Sequence, residues 1–363
     1  MPSLHELHDR FGQSPWLDNL RRDWLLDGTI ARWIERGVLG CTSNPSIFQK
    51  AMSAGDAYDA QLRQLTAAGD DVGAAYWKLV RDDIDRALDA FAPVHTRTDG
   101  KDGFVSLELA PDLAHDTAGS LTAARRLADA IDRPNLMIKV PATEAGIPAI
   151  QGLVAEGRNI NITLIFGLPR YRQVMEAYLS GLEAFPGDPS QVRGVASFFV
   201  SRVDTEIDQR LERIGSPEAL ALRGRGAVAQ ARLAYQAFQE TFRGPRWDAL
   251  VARGADVQRP LWASTSTKNP AYPPTLYVDE LIGPDTVNTL PEGTLDLFEE
   301  QGTLARRIDA DVADAEDVFA RLAAVGVDLD DVSRVLEDEG VASFDKAFDE
   351  VHASLADKAA AFH

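Results

Sequence analysis

The chain has 363 residues, 45% of them hydrophobic and 26% charged, an ordinary balance for a globular protein with a sizeable core. Its 37 basic and 56 acidic side chains leave a formal charge of −19. That excludes nonspecific nucleic-acid or anionic-membrane binding, and any anionic ligand must find a local convergence of cations. One cysteine, Cys41, excludes an intramolecular disulfide framework and a cysteine-based zinc site.

In chain order, the opening MPSLHELHDRFGQ lacks the apolar run of a secretory signal. No stretch approaches the ~20 apolar residues of a membrane span. A cytoplasmic chain is the expectation. Short β-like runs then recur: WLDNL (16–20), VLGCTS (38–43), FVSLEL (104–109), NLMIKV (135–140), NITLIF (161–166), VASFFV (195–200), PLWAST (260–265) and TVNTL (286–290). Helical patterns fall between them. Ile150, Leu153 and Val154 form one face, and Val174, Tyr178 and Leu182 recur every four residues after Pro169. The stretch 227–243 reads as an alanine-rich helix.

Strands alternating with helices imply parallel pairing through right-handed crossovers, and eight such units close a (β/α)8 TIM barrel. The fold class expected is therefore α/β, as one barrel domain over 1–363. Two helical patterns, around 56–67 and 73–91, are an insertion between the second and third strands. A helical C-terminal segment runs from about 292 to 363, with patterns at LDLFEEQ, 313–324 and 344–361. A doubly wound sheet would need a glycine-rich phosphate turn after an early strand. The only GxG, in RGRGAVA (223–229), follows a polar, proline-containing segment and reads as a loop feeding a helix.

Lysine is rare here, seven of the 37 basic residues, and one of them sits inside Leu-Met-Ile-Lys-Val-Pro. Strand alternation puts Leu136, Ile138 and Val140 on one face, under the helices, and Met137 and Lys139 on the other, inside the barrel. A buried lysine is costly unless paired or neutral; desolvation favours the neutral amine, a nucleophile toward carbonyls. The competing reading is a lysine whose head snorkels to water at the strand end. Imine chemistry needs proton carriers, and Asp18 and Glu108 both sit in strand-like contexts that point them inward. Taken singly, each is more simply a structural anion.

Asn44 and Asn161 offer amides able to hold hydroxyls, although Asn44 before Pro45 also reads as a turn residue. Ser197 and Arg202 flank the end of the sixth strand, and Ser264, Ser266 and Lys268 follow the seventh, where barrels often bind phosphate. Lys268 is also the rival for the imine, but its polar surroundings favour the ammonium. The histidines (5, 8, 95, 115, 352, 363) are scattered without metal-ligand spacing, so no metal is expected. GxSxG and a Walker A sequence are absent, which removes the usual hydrolase and nucleotide-hydrolysis readings.

GCTSNPSIF (40–48), LMIKVPATEAGI (136–147), NINITLIF (159–166), SFFVSRVD (197–204) and WASTSTKNPAY (262–272), in that order, resemble the transaldolases in their longer bacterial form. The resemblance runs from about Asp18 to Asn288. It implies a (β/α)8 barrel without metal or organic cofactor, acting on small-molecule sugar phosphates. The reaction implied moves a dihydroxyacetone unit from sedoheptulose 7-phosphate to glyceraldehyde 3-phosphate, in the non-oxidative pentose phosphate pathway. Lys139 matches the Schiff-base lysine and Asp18 the acid/base at the cleaved bond. Glu108 matches the carboxylate that, with Thr163 and a water, moves protons during imine formation. Asn44, Asn161 and Ser197 match the dihydroxyacetone clamp, and Arg202 a phosphate ligand. The family's second phosphate cation is usually an arginine in a tighter turn; here ASTSTKN puts Lys268 there, with Ser264 or Ser266 assisting. Rival readings are a Schiff-base aldolase of lyase type and a non-catalytic sugar-phosphate-binding barrel. The sequence leaves the oligomeric state open, a homodimer included.

Overall fold

A computed structural model describes residues 1–362; His363, the last residue of the expected helical C-terminal segment, lies outside them. Eight strands close in sequence order into a parallel barrel: β1 (Gln13–Leu17), β2 (Cys41–Thr42), β3 (Val105–Glu108), β4 (Leu136–Pro141), β5 (Ile160–Ile165), β6 (Gly194–Phe199), β7 (Gln258–Ala263) and β8 (Thr286–Leu290). This is the (β/α)8 architecture expected. All but one of the strand residues are buried, because one face fills the lumen and the other packs under the helices. In β4, Met137 lies at the mouth where the strands begin, whereas Leu136 and Ile138 border a groove on the barrel's outer side. The alternation read from the sequence thus assigns the faces correctly.

Two strands sit earlier than expected. β1 ends at Leu17 rather than residue 20, and β7 starts at Gln258 rather than 260. In both cases polar residues occupy the start of the strand. Gln13 donates its amide to the Leu281 carbonyl at 2.7 Å and to Thr286 at 2.9 Å, so that its donors are used inside the fold. Strand β2 is only two residues long. Gly40, just before it, lies against the Trp16 ring, where a Cβ would approach within 2.5 Å. Strand β5 carries a bulge between Ile162 and Ile165, with Leu164 at φ 58°, in the left-handed region.

The insertion between β2 and β3 holds three helices, not two: Pro45–Ser53, Asp59–Ala67 and Val72–Arg97. The first starts at Asn44, whose side chain accepts from Ile47 N at 3.0 Å, with Pro45 in the first turn. A buried cluster ties the insertion to the segment after β1. Arg22 Nε donates to Asp83 at 2.7 Å, and Tyr58 donates to the other Asp83 oxygen at 2.7 Å.

After β8 come Glu292–Gln301, Val312–Ala324 and one long helix, Leu329–Ala360. The sequence pattern located only the second half of that last helix. Its buried face runs Val332, Leu336, Gly340, Phe344, Ala347, Val351, Leu355, and the glycine interrupts the apolar stripe at its centre. This helix packs against β5, the insertion helices and Ser201–Ile214. It therefore crosses the end of the barrel where the strands finish. No described helix is long and apolar enough to cross a membrane.

Candidate active site

Three consecutive parallel strands put three polar residues in one row. Glu108 on β3 pairs in register with Lys139 on β4, which pairs with Asn161 on β5. Adjacent strands lie about 4.8 Å apart, so side chains of one row that face the lumen must meet. Lys139 Nζ stands 3.0 Å from Glu108 Oε2 and donates to the Ser43 carbonyl at 3.3 Å. Both side chains are only 6% exposed. The amine is therefore inside the barrel and paired, which rules out snorkelling to bulk water.

Asp18 follows β1 directly, and its backbone N–H continues the ladder to Leu290 O at 2.9 Å. Its carboxylate accepts from Thr42 at 2.8 Å, and Thr42 in turn meets Thr289 at 2.7 Å. Burial pushes the Asp18 carboxyl above its ordinary value, against the opposing pull of Lys139, Thr42 and Arg202. Burial likewise raises Glu108, against the pull of Lys139. Two carboxyls that hold protons more tightly than usual thus bracket one amine, an arrangement suited to acid–base work.

A cavity of about 140 Å³ opens above them, lined by Asp18, Asn44, Lys139, Thr163, Ser197 and Arg202 among others. Thr163 Oγ1 is buried there with no hydrogen-bond partner among the described residues. Asn161 sits beneath: Ser197 donates to its carbonyl at 2.7 Å and its amide donates to Ser106 at 3.0 Å. Asn44 spends its carbonyl on the cap of the helix Pro45–Ser53, and its position borders the cleft.

The loop after β7 completes the rim. Ser264, at φ 56°, meets Ser201 through the hydroxyls at 2.8 Å, Ser266 meets Thr294 at 2.8 Å, and Lys268 lines the same cavity. Arg202 stands in the first turn of the helix Ser201–Ile214, its guanidinium 5.3 Å from the centre of the Phe199 ring. Neither Arg202 nor Lys268 forms an ion pair among the described residues, while most other arginines do. Two cations left without carboxylate partners on one rim suit a phosphate.

That rim is braced by residues the sequence reading did not single out. Tyr272 donates to Asp208 at 2.6 Å and Tyr277 to Asp204 at 2.7 Å, binding the segment after β7 to the helix that carries Arg202. Burial pushes Asp204 up to about 6. Thr42, Ser46, Thr289 and Phe344 also line the cavity. The i, i+4 spacing of Asp204 and Asp208 was a usable signal; nothing near residue 344 marked it.

A larger groove, about 620 Å³, lies beside the opposite end of the barrel. Its arginines are occupied: Arg133 by Asp89, Arg158 by Asp129 and Arg193 by Asp256. The smaller cavity instead holds Arg202 and Lys268, which form no ion pair among the described residues.

The family model described as Transaldolase/Fructose-6-phosphate aldolase matches residues 15–355. The chain belongs to that family. A transaldolase of Mycolicibacterium smegmatis is 53% identical over 345 residues, spanning 94% of this chain and 93% of the relative. One of Mycobacterium tuberculosis H37Rv is 50% identical over 346 residues, with the same coverage. A third, of Mycobacterium marinum, is 53% identical over 346 residues. The family read from five sequence motifs is the family found, and the match supports transaldolase function and membership of the transferases.

Proposed function

We propose that this chain moves a dihydroxyacetone unit from sedoheptulose 7-phosphate to glyceraldehyde 3-phosphate through an imine on Lys139. The observation that carries the reading is the row Glu108–Lys139–Asn161, whose lysine faces a cavity shared with Asp18, Arg202 and Lys268. The Lys139 amine adds to the ketose carbonyl. Glu108, with Thr163 and a water, supplies the proton with which hydroxide leaves as water, and the imine forms. Asp18 then takes the proton of the hydroxyl on the far carbon of the bond to be broken, the carbon that becomes the aldehyde. The C–C bond cleaves, its electrons enter the imine as an enamine, and erythrose 4-phosphate departs.

The enamine carbon attacks the incoming aldehyde, and Asp18 returns its proton to the new hydroxyl. Hydrolysis of the imine frees fructose 6-phosphate and the amine. Asn44, Asn161 and Ser197 hold the dihydroxyacetone hydroxyls. Arg202 and Lys268, with Ser264 and Ser266, hold the phosphate, so that remote binding energy orients the reacting end. No organic cofactor or metal enters these steps. The single cysteine, Cys41, is buried, which suits a reducing compartment, and we place the reaction in the cytoplasm.

Borohydride reduction in the presence of fructose 6-phosphate, followed by peptide mapping, tests nucleophile, intermediate and substrate class together. The reading expects one reduced adduct, on Lys139. An adduct on Lys268, or none, would refute it.

A further inference from the structure

After the C–C bond breaks, the enamine has two fates. It can attack an aldehyde, or it can take a proton from water and be released. The second fate makes a lyase of a transferase. The barrel supplies carboxylate, hydroxyl, amide and cationic groups to the cavity wall, together with the apolar Phe199, Ala263 and Pro291. Phe344 is different. It comes from the C-terminal helix rather than from the barrel, is 4% exposed, and centres its ring 5.9 Å from Lys139 Nζ.

The helix is built to bring it there. One turn earlier, at Gly340, a Cβ would stand 2.9 Å from the Leu164 side chain and 3.5 Å from Phe166. The helix backbone thus rests on the β5 bulge as closely as a missing side chain allows, and the next turn delivers Phe344 over the amine. Ion pairs fix the approach at both ends. Arg210 meets Asp331 at 2.8 Å, Arg170 meets Glu337 at 3.4 Å, and Lys358 meets Asp59 at 2.8 Å.

We propose that Phe344 sets the ratio of transfer to release, by keeping water from the enamine carbon on Lys139; this rests on the function proposed above. Release, when it occurs, balances without any redox partner. The enamine carbon takes a proton from water, giving the protonated imine (iminium) of dihydroxyacetone and hydroxide. A second water adds to the imine carbon, the C–N bond breaks, and free dihydroxyacetone leaves the amine. A ring over the site slows the first of these steps by excluding the proton donor.

The test gives the full chain fructose 6-phosphate in deuterium oxide, with and without erythrose 4-phosphate as acceptor. It measures free dihydroxyacetone and its deuterium content against sedoheptulose 7-phosphate formed. In Phe344→Ala the release-to-transfer ratio is expected to rise about tenfold or more, with one deuterium per released molecule, and Phe344→Leu should fall between. Gly340→Ala, which lifts the same turn off Leu164, should move the ratio in the same direction. Transfer and release falling together, with the ratio unchanged in any of these variants that folds, overturns the inference. Borohydride labelling of the parent chain separates the two levels. No adduct on Lys139 defeats the proposed function and this inference with it, whereas labelling with an unchanged ratio defeats the inference alone.

Discussion

The two mouths of the barrel each bury a carboxylate beside a cation, yet they differ in how far those groups are satisfied. At the mouth where the strands begin, Asp102 accepts from Ser14 at 2.7 Å, from Trp16 Nε1 at 2.9 Å and from Arg259 at 3.1 Å. Arg259 also donates to Ser14 and to the Lys101 carbonyl. Asp102 thus has donors on both of its oxygens and Arg259 has three acceptors, although the Gln13 Oε1 and the Gln258 side-chain amide at the same mouth lack partners among the described residues. At the other mouth, among the described residues, Asp18 has one hydroxyl donor, Glu108 has only the lysine as a charged partner, and Thr163 Oγ1 has none. A filled set of partners leaves a buried ion nothing further to bind and makes it scaffold. An unfilled set keeps free energy available for a substrate.

Four outcomes would sharpen that contrast or break it. The largest effect belongs to Lys139→Met, which fills the same space without a nucleophile. Transfer should fall by about four orders of magnitude or more while circular dichroism stays that of the parent. Measurable turnover in that variant would end the assignment.

Asp102→Ala should do the reverse. It strands Arg259 and should cost about 3–5 kcal/mol of stability, read by denaturant unfolding, while the kcat of the folded fraction stays near that of the parent. A variant as stable as its parent would show that the lower mouth is no scaffold.

The third outcome is a pH profile. Asp18 must be ionised to take the hydroxyl proton, and burial raises its carboxyl above the ordinary 3.8. Activity should therefore be lost as pH falls through the raised value, so the acid limb of kcat/KM lies above the usual aspartate range. In Asp18→Asn the small residual rate should lack that limb. An acid limb at the ordinary value would remove the base role.

Lys268→Ala is the smallest. With the cation gone, KM for phosphorylated substrates should rise roughly tenfold, about 1.4 kcal/mol, with kcat nearly unchanged. A loss confined to kcat would move Lys268 from the phosphate rim into the chemistry.

Much of this was legible beforehand, for identifiable reasons. Seven strands carry apolar runs long enough to be seen, and the eighth, β2, lies within the run VLGCTS although only Cys41 and Thr42 pair. β1 was misplaced because Gln13 and Ser14 look like loop residues until their buried partners are known. The helix Pro45–Ser53 escaped because Asn44-Pro45 reads equally as a turn and as a cap followed by a first helical turn. The braces Tyr272–Asp208 and Tyr277–Asp204 join residues more than 60 positions apart, beyond any periodicity.

The side of β4 from which Lys139 projects was settled by its own six residues, because a strand alternates with period two and only one face of a barrel strand looks inward. What that amine meets was settled by closure. Register brought Glu108 and Asn161 level with it, and the join of β1 to β8 carried Asp18 to the same mouth. The last wall, Phe344, came from a helix laid across the barrel end, held by a close approach at Gly340 that only the packed fold can express. Local periodicity aims a side chain, but contacts between distant segments depend on how whole elements pack.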